Sequence, residues 1–184
     1  MSSKTCGCEH DFTLVLTGVG DLTDAVQDKL FSAGCDDATI ALRSGRLYMT
    51  FSREAATLKD AILAAIRGVR SAEIGADVLR VDYCNLVTQS DVARKIGRSR
   101  QLVHQYVTGA RGPGDFPPQA CEIVSDVGLW YWCEVAYWLC ENGMIRSEVL
   151  RDAEEVDIIN NVLEMERMKR THREVTEEVL RSVT

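Results

Sequence analysis

The chain has 184 residues, 46% hydrophobic and 27% charged, which is the balance of a globular protein with one generous domain or two small ones. That excludes a mainly disordered chain, a collagen-like one and a small disulfide scaffold, and no apolar run reaches the ~18 residues of a membrane-spanning helix. The net charge of −7 argues against a nucleic-acid partner until it is divided along the chain. Residues 1–83 carry 9 Lys/Arg and 12 Asp/Glu, residues 84–120 carry 5 and 2, and residues 121–184 carry 7 and 14. Only the middle stretch is basic, so any anion is expected there.

Residues 1–10 read as a flexible terminus. They lack the apolar core of a signal peptide, and seven cysteines are an odd count that suits reduced thiols, so a cytoplasmic location is expected. Cys6, Cys8 and His10 offer two thiolates and an imidazole. A closed zinc site needs a fourth ligand, and no CxxC or HxxxH partner occurs, so no metal is assigned.

Residues 11–83 alternate strands and helices. Phe12–Thr17 alternates apolar and polar as a half-buried strand does. Gly18 and Gly20 break it, Asp21 or Thr23 caps the next helix, and Gly34 suits its end. That helix carries Leu22, Ala25, Val26, Lys29, Leu30 and Ala33 on one stripe. Strands 38–43 and 47–51 follow, joined at Ser44-Gly45 by a tight hairpin. A helix over 55–70 turns Leu58, Ala61, Ile62, Ala65 and Ile66 to one side, and a strand over 77–81 ends the unit. The order β-α-β-β-α-β resembles the ferredoxin-like, split βαβ arrangement, an α+β fold that serves many unrelated functions.

From residue 84 the pattern changes to short helices, and residues 84–142 form the second expected domain. In Thr88–Val107, Ala93 is the small residue that lets two helices cross closely, and Gly97, four positions later, tolerates the positive φ of a turn. Val92, Ile96, Val103 and Val107 pin the second helix to the first, with Tyr106 beside them, and Ser99 caps it. The exposed positions are Arg98, Arg100, Gln101, His104 and Gln105, followed by the glycine-rich loop Thr108–Gly114 with Arg111. Arg98 stands where such motifs more often have an apolar residue. Beyond Phe116-Pro117-Pro118, two strands over 121–124 and 129–132 flank a turn at 125–128, and a helix then carries Val135, Trp138 and Leu139 inward.

Over residues 86–140 this resembles the winged helix-turn-helix of MerR-like and excisionase-like proteins, in which a hairpin wing follows the recognition helix. The resemblance implies a second helix in the major groove. Arg100 and Gln101 are then nearest the base edges, while Arg98, Thr108 and Arg111 contact phosphates, with Gln89 and Ser90 at the start of the first helix. Ser99, His104 and Gln105 complete the set of expected DNA-binding residues.

Residues 143–184 are helical and acidic and read as an assembly tail. Ile145, Val149, Val156, Ile159, Leu163, Val175 and Val179 fall at helical spacings that call either for a partner surface or for packing on the same chain. No phosphate loop, GxSxG or dinucleotide fingerprint occurs, and His10, His104 and His172 stand apart, so neither catalysis nor a cofactor is expected. Asp36-Asp37 falls at a turn, where solvated acids are ordinary, and Trp130, Trp132 and Trp138 read as core. The expectation is a bacterial transcription regulator that binds double-stranded DNA as a homodimer or higher homo-oligomer. Its N-terminal unit would sense a small molecule or hold a protein partner, and it would have no contact with membranes. The alternative is a protein-interaction adaptor built on the N-terminal unit and the tail.

Overall fold

The computed structural model describes residues 7–83, 85–120 and 128–183. They form two compact units, one of residues up to Tyr83 together with those from Ile158 onward, the other of residues 84–157. Both α-helices and an antiparallel β-sheet are present, an α+β composition.

In the first unit, β1 (Cys8–Thr17), β2 (Ala38–Arg43), β3 (Arg46–Ala55) and β4 (Asp77–Val81) make one antiparallel sheet in the order β2-β3-β1-β4. Helix α1 (Asp24–Ser32) joins β1 to β2, and α2 (Leu58–Ser71) joins β3 to β4. Phe12, Leu14 and Leu16 of β1 stand opposite Phe51, Met49 and Leu47 of β3, so all six share one face, and all are buried. Ala61, Ile62, Ala65, Ile66 and Val69 form the buried stripe of α2. Ser44 and Gly45 both take positive φ, as a two-residue hairpin turn requires. Gly18 has φ +93°, and a β-carbon there would run into the Gly75 carbonyl oxygen, so only glycine fits.

Three expectations need correction. The flexible terminus over 1–10 and the strand start at Phe12 give way to a strand that begins at Cys8, because Cys8 through Asp11 find ladder partners in Ala55 through Ser52. By the same pairing, β3 runs on to Ala55 and the helix starts at Leu58, where Thr57 Oγ1 accepts from Asp60 N at 3.1 Å. The stripe expected for α1 reduces to Leu30 as its only buried residue, capped by Thr23 rather than Asp21.

The sheet edge is closed by the chain's own helix α6 (Ser147–Thr171), whose residues from Ile158 belong to this unit. Asn160 accepts from Val81 N at 2.8 Å and donates to Val81 O at 3.3 Å, pairing groups that an edge strand leaves open. Arg70–Glu166 and Arg170–Asp77 pairs at 2.6 and 2.7 Å flank that contact. Helix α7 (Arg173–Val183) continues the chain.

In the second unit, β5 (Leu86–Val87) leads into α3 (Gln89–Lys95) and α4 (Arg100–Val107). After a loop, β6 (Trp130–Tyr131) leads directly into α5 (Trp132–Glu141), and α6 begins. Val135, Trp138 and Leu139 are buried as expected, together with Trp132 and Ala136. The strand expected over 129–132 is shorter. Trp130-Tyr131 pairs antiparallel with Val87-Leu86, and Trp132 already opens α5. Ala120 N donates to Leu129 O at 2.8 Å. The expected wing strand at 121–124 and the turn residues 125–127 lie outside the described residues.

Candidate nucleic-acid interface

The candidate interface starts with a reciprocal cap. Thr88 Oγ1 accepts from Asp91 N at 3.2 Å, while the Asp91 carboxylate accepts from Thr88 N and Oγ1 at 3.0 and 2.7 Å. The Thr88 hydroxyl, then the Thr88 amide and Arg94, hold the Asp91 carboxyl below its ordinary range. Asp91 is also an anion at the first turn of α3. Gln89 and Ser90 therefore stand beside a carboxylate.

The turn between α3 and α4 is built from local signals. Gly97 takes φ +62°, Gly97 N donates to Arg94 O at 3.3 Å, and Arg98 N donates to Ala93 O at 2.9 Å. These are the two bonds of a Schellman ending, which a left-handed residue permits. Leu102 N then donates to Ser99 Oγ at 3.3 Å, so the cap of α4 stands two residues after the glycine stop of α3. Val92, Ala93 and Val103 are buried where the helices meet. The closeness of that crossing is why Ala93 is small.

Arg98, Ser99, Arg100, Gln101, His104, Thr108 and Arg111 are exposed, and Gln105 is half-buried. At 100° per residue, Arg100, Gln101, His104, Gln105 and Thr108 form one continuous face of α4, opposite Leu102, Val103 and Tyr106. From Val92 to Gly114 the sequence has five Lys/Arg and no Asp/Glu, so no carboxylate from this stretch opposes an anion at that face. Two of the five cations are committed within the unit. Arg94 meets Asp91 at 2.9 Å, and Lys95 Nζ lies 4.8 Å from the centre of the Trp132 ring. Among the described residues that leaves Arg98, Arg100 and Arg111 as the exposed cations of this stretch with no ion-pair or ring partner, while Arg94, although paired, is also exposed. Ser99 and Thr108 also have structural tasks. Thr108 Oγ1 donates to His104 O at 2.9 Å, which leaves its lone pairs, not its proton, for a ligand.

The loop after α4 is tied down by aromatic residues that the sequence suggested only as core. Trp138 Nε1 donates to Gly114 O at 2.8 Å and Trp130 Nε1 to Pro117 O at 3.0 Å. Phe116 packs edge-on against both the Trp130 and Trp138 indoles, with ring centres 6.1 and 5.0 Å away, and Tyr106 of α4 tilts against Trp138 at 5.5 Å. Gly112 has φ +95°, and a β-carbon there would come 2.8 Å from Tyr106. Arg111 N donates to Gln105 O at 3.1 Å, so the arginine is set from α4 itself. A signal was present in the sequence: a buried indole N–H needs an acceptor, and a loop rich in Gly and Pro has carbonyls to spare.

The other constellations resolve differently. Both oxygens of Asp37 accept from Arg53 at 2.6 Å, and Arg53 also donates to Gly34 O, so this acid is paired rather than open to a cation. Burial pushes the Cys35 thiol up, with Arg53 opposing that effect. Cys6 lies outside the described residues, while Cys8 and His10 stand two apart on β1. Among the described residues no three His, Cys, Asp or Glu are placed to hold a metal. A cavity of about 190 Å³ in the first unit, between β4 and α6, is lined by Arg70, Asp77, Glu166 and Arg170, whose charges pair with one another. It is smaller than the ~300–1,000 Å³ usual for a small-molecule site. Among the described residues no helix is long and apolar enough to cross a membrane.

No protein family matches this chain, and no curated protein or solved structure matches it either.

Proposed function

We propose that the chain binds double-stranded DNA in a sequence-specific way and regulates transcription by occluding or recruiting at a promoter in a bacterial cytoplasm. The observation that carries this is the α3–turn–α4 pair, in which a glycine stop and a serine cap set α4 so that Arg100, Gln101, His104 and Gln105 share one acid-free outer face. Arginine is suited to guanine O6/N7 and glutamine to adenine N6/N7. Arg98 and Arg111, at the two ends of α4, suit phosphates and would fix register. The Arg111 loop, held on α4 and on Trp138, supports a winged helix-turn-helix of the MerR-like or excisionase-like kind. In the first unit, the strand order β2-β3-β1-β4 with two crossover helices supports a ferredoxin-like domain, with a partner-binding or sensing role.

Three exposed arginines per copy without an ion-pair partner are few. Each neutralised phosphate changes the log-log salt slope by only about −0.9, so a single copy would bind weakly and two half-sites read by a homodimer are needed. The test is selection from a pool of random duplexes over a salt series. An enriched inverted repeat is expected. Binding without enrichment would reduce the role to a phosphate grip, and no binding at all would leave the protein-interaction adaptor as the reading.

A further inference from the structure

Helix α6 has apolar residues on two opposite sides. Ala153, Val156, Ile159 and Leu163 are buried in their own units. On the other side Ile158, Val162, Met165 and Met168 are 60, 52, 37 and 42% exposed. Helices α6 and α7 meet at a bend at His172, where His172 N donates to Met168 O at 2.7 Å as the last bond of α6 and Thr176 N donates to His172 O at 2.9 Å as the first of α7. Beyond that bend Val175, Val179 and Val183 of α7 are 63, 53 and 74% exposed. No residue of α7 is buried.

We infer that this stripe, Ile158 through Val183, is where two copies of the chain pair as a parallel two-stranded coiled coil. Ile158, Met165, His172 and Val179 recur every seven residues, and of the companion positions of the heptad Met168 and Val175 are apolar while Asn161 and Ser182 are polar. Such a repeat meets its own copy in register, with polar His172 against its counterpart as the register mark. The charges beside the stripe choose the direction. In a parallel pair Glu164 faces Lys169 of the second copy, twice by symmetry, with no like charges opposed. An antiparallel pair centred on the stripe would set Glu164 against Glu178, again twice. The seven exposed side chains offer on the order of 600 Å² per chain, close to the ~800 Å² per partner of a stable interface. This pairing rests on the proposed function only in giving its homodimer a contact surface, and it is tested without DNA.

The test is sedimentation equilibrium of the full chain over a micromolar range. The wild type is expected to dimerise reversibly, and Met165→Lys to weaken the dimer at least tenfold. Met165 is exposed, so the far-UV circular dichroism and unfolding of the β-sheet unit check that this variant still folds. Glu164→Lys would oppose Lys169 and weaken the dimer several-fold, and Glu164→Lys with Lys169→Glu would restore it. A monomer throughout, or a dimer indifferent to Met165→Lys, would overturn the inference. A dimer that Glu164→Lys tightens would overturn the parallel arrangement, since the introduced ammonium would then face Glu178. Failure of duplex selection with an intact dimer would count against DNA binding alone.

Discussion

Gly97 shows how much rests on one dihedral angle. A β-carbon there would meet nothing within 4 Å, so the requirement is the φ of +62° and not space. Gly97→Ala is therefore expected to lower the unfolding free energy by about 1–2 kcal/mol, measured by urea denaturation. Ser99→Ala removes the cap of α4 and is expected to cost about 1 kcal/mol by the same measurement. If either leaves stability unchanged, the turn is not held as described. Asp91 adds a pH signature. Its carboxyl lies below the ordinary range when folded, so its contribution is complete above the unfolded value near ~4 and is lost as pH falls through the folded value. The stability difference between wild type and Asp91→Asn should be constant at neutral pH and shrink in acid. Arg100→Ala is expected to cost about 1–3 kcal/mol on a selected duplex and to relax preference at one base pair, whereas Arg98→Ala should weaken all sequences alike.

At the scale of elements, the loop after α4 depends on α5. The indole of Trp138 reaches Gly114 O, and the same ring packs on Tyr106 of α4 and on Phe116. Trp138→Phe keeps an aromatic ring and deletes the N–H. It is expected to weaken duplex binding in the way Arg111→Ala does, and the double variant should bind no worse than Arg111→Ala alone. Additive losses in that cycle would show that the loop does not work through Arg111. In the first unit, Asn160→Ala would strip the partner from Val81 N at the edge of β4, while Val81 O keeps Tyr83 N at 2.8 Å. A loss of about 1–3 kcal/mol is expected from leaving that amide unpaired, read from the urea midpoint.

At the scale of the molecule, charge is partitioned: an acidic N-terminal stretch, a short basic centre and an acidic helical end. The net −7 therefore says little about the proposed DNA-binding face of α4, whose nearest charges along the chain are all positive. It does predict that binding is confined to that face and falls steeply with salt. The log-log salt slope should approach about −3 for a single copy and about twice that for a pair on two half-sites. A dimer with the slope of one copy would mean that only one α4 reaches the duplex.

What the sequence determined by itself is what local chemistry governs. The Ser44-Gly45 turn, the Gly34 and Gly97 stops, the Ser99 cap and the buried stripe of α2 each depend on residues within a turn or two, so spacing and residue type suffice. The tertiary structure decided whatever depends on a distant partner. β1 starts at Cys8 because Ala55 lies opposite, and Trp130-Tyr131 pairs with Val87-Leu86 instead of extending a longer strand. The indoles hold the loop that carries Arg111, and α6 turns Ile159 and Leu163 inward while Ile158 and Val162 face out. Periodicity reports that a helix has apolar residues, but only the packing of the rest of the chain selects which of them are covered.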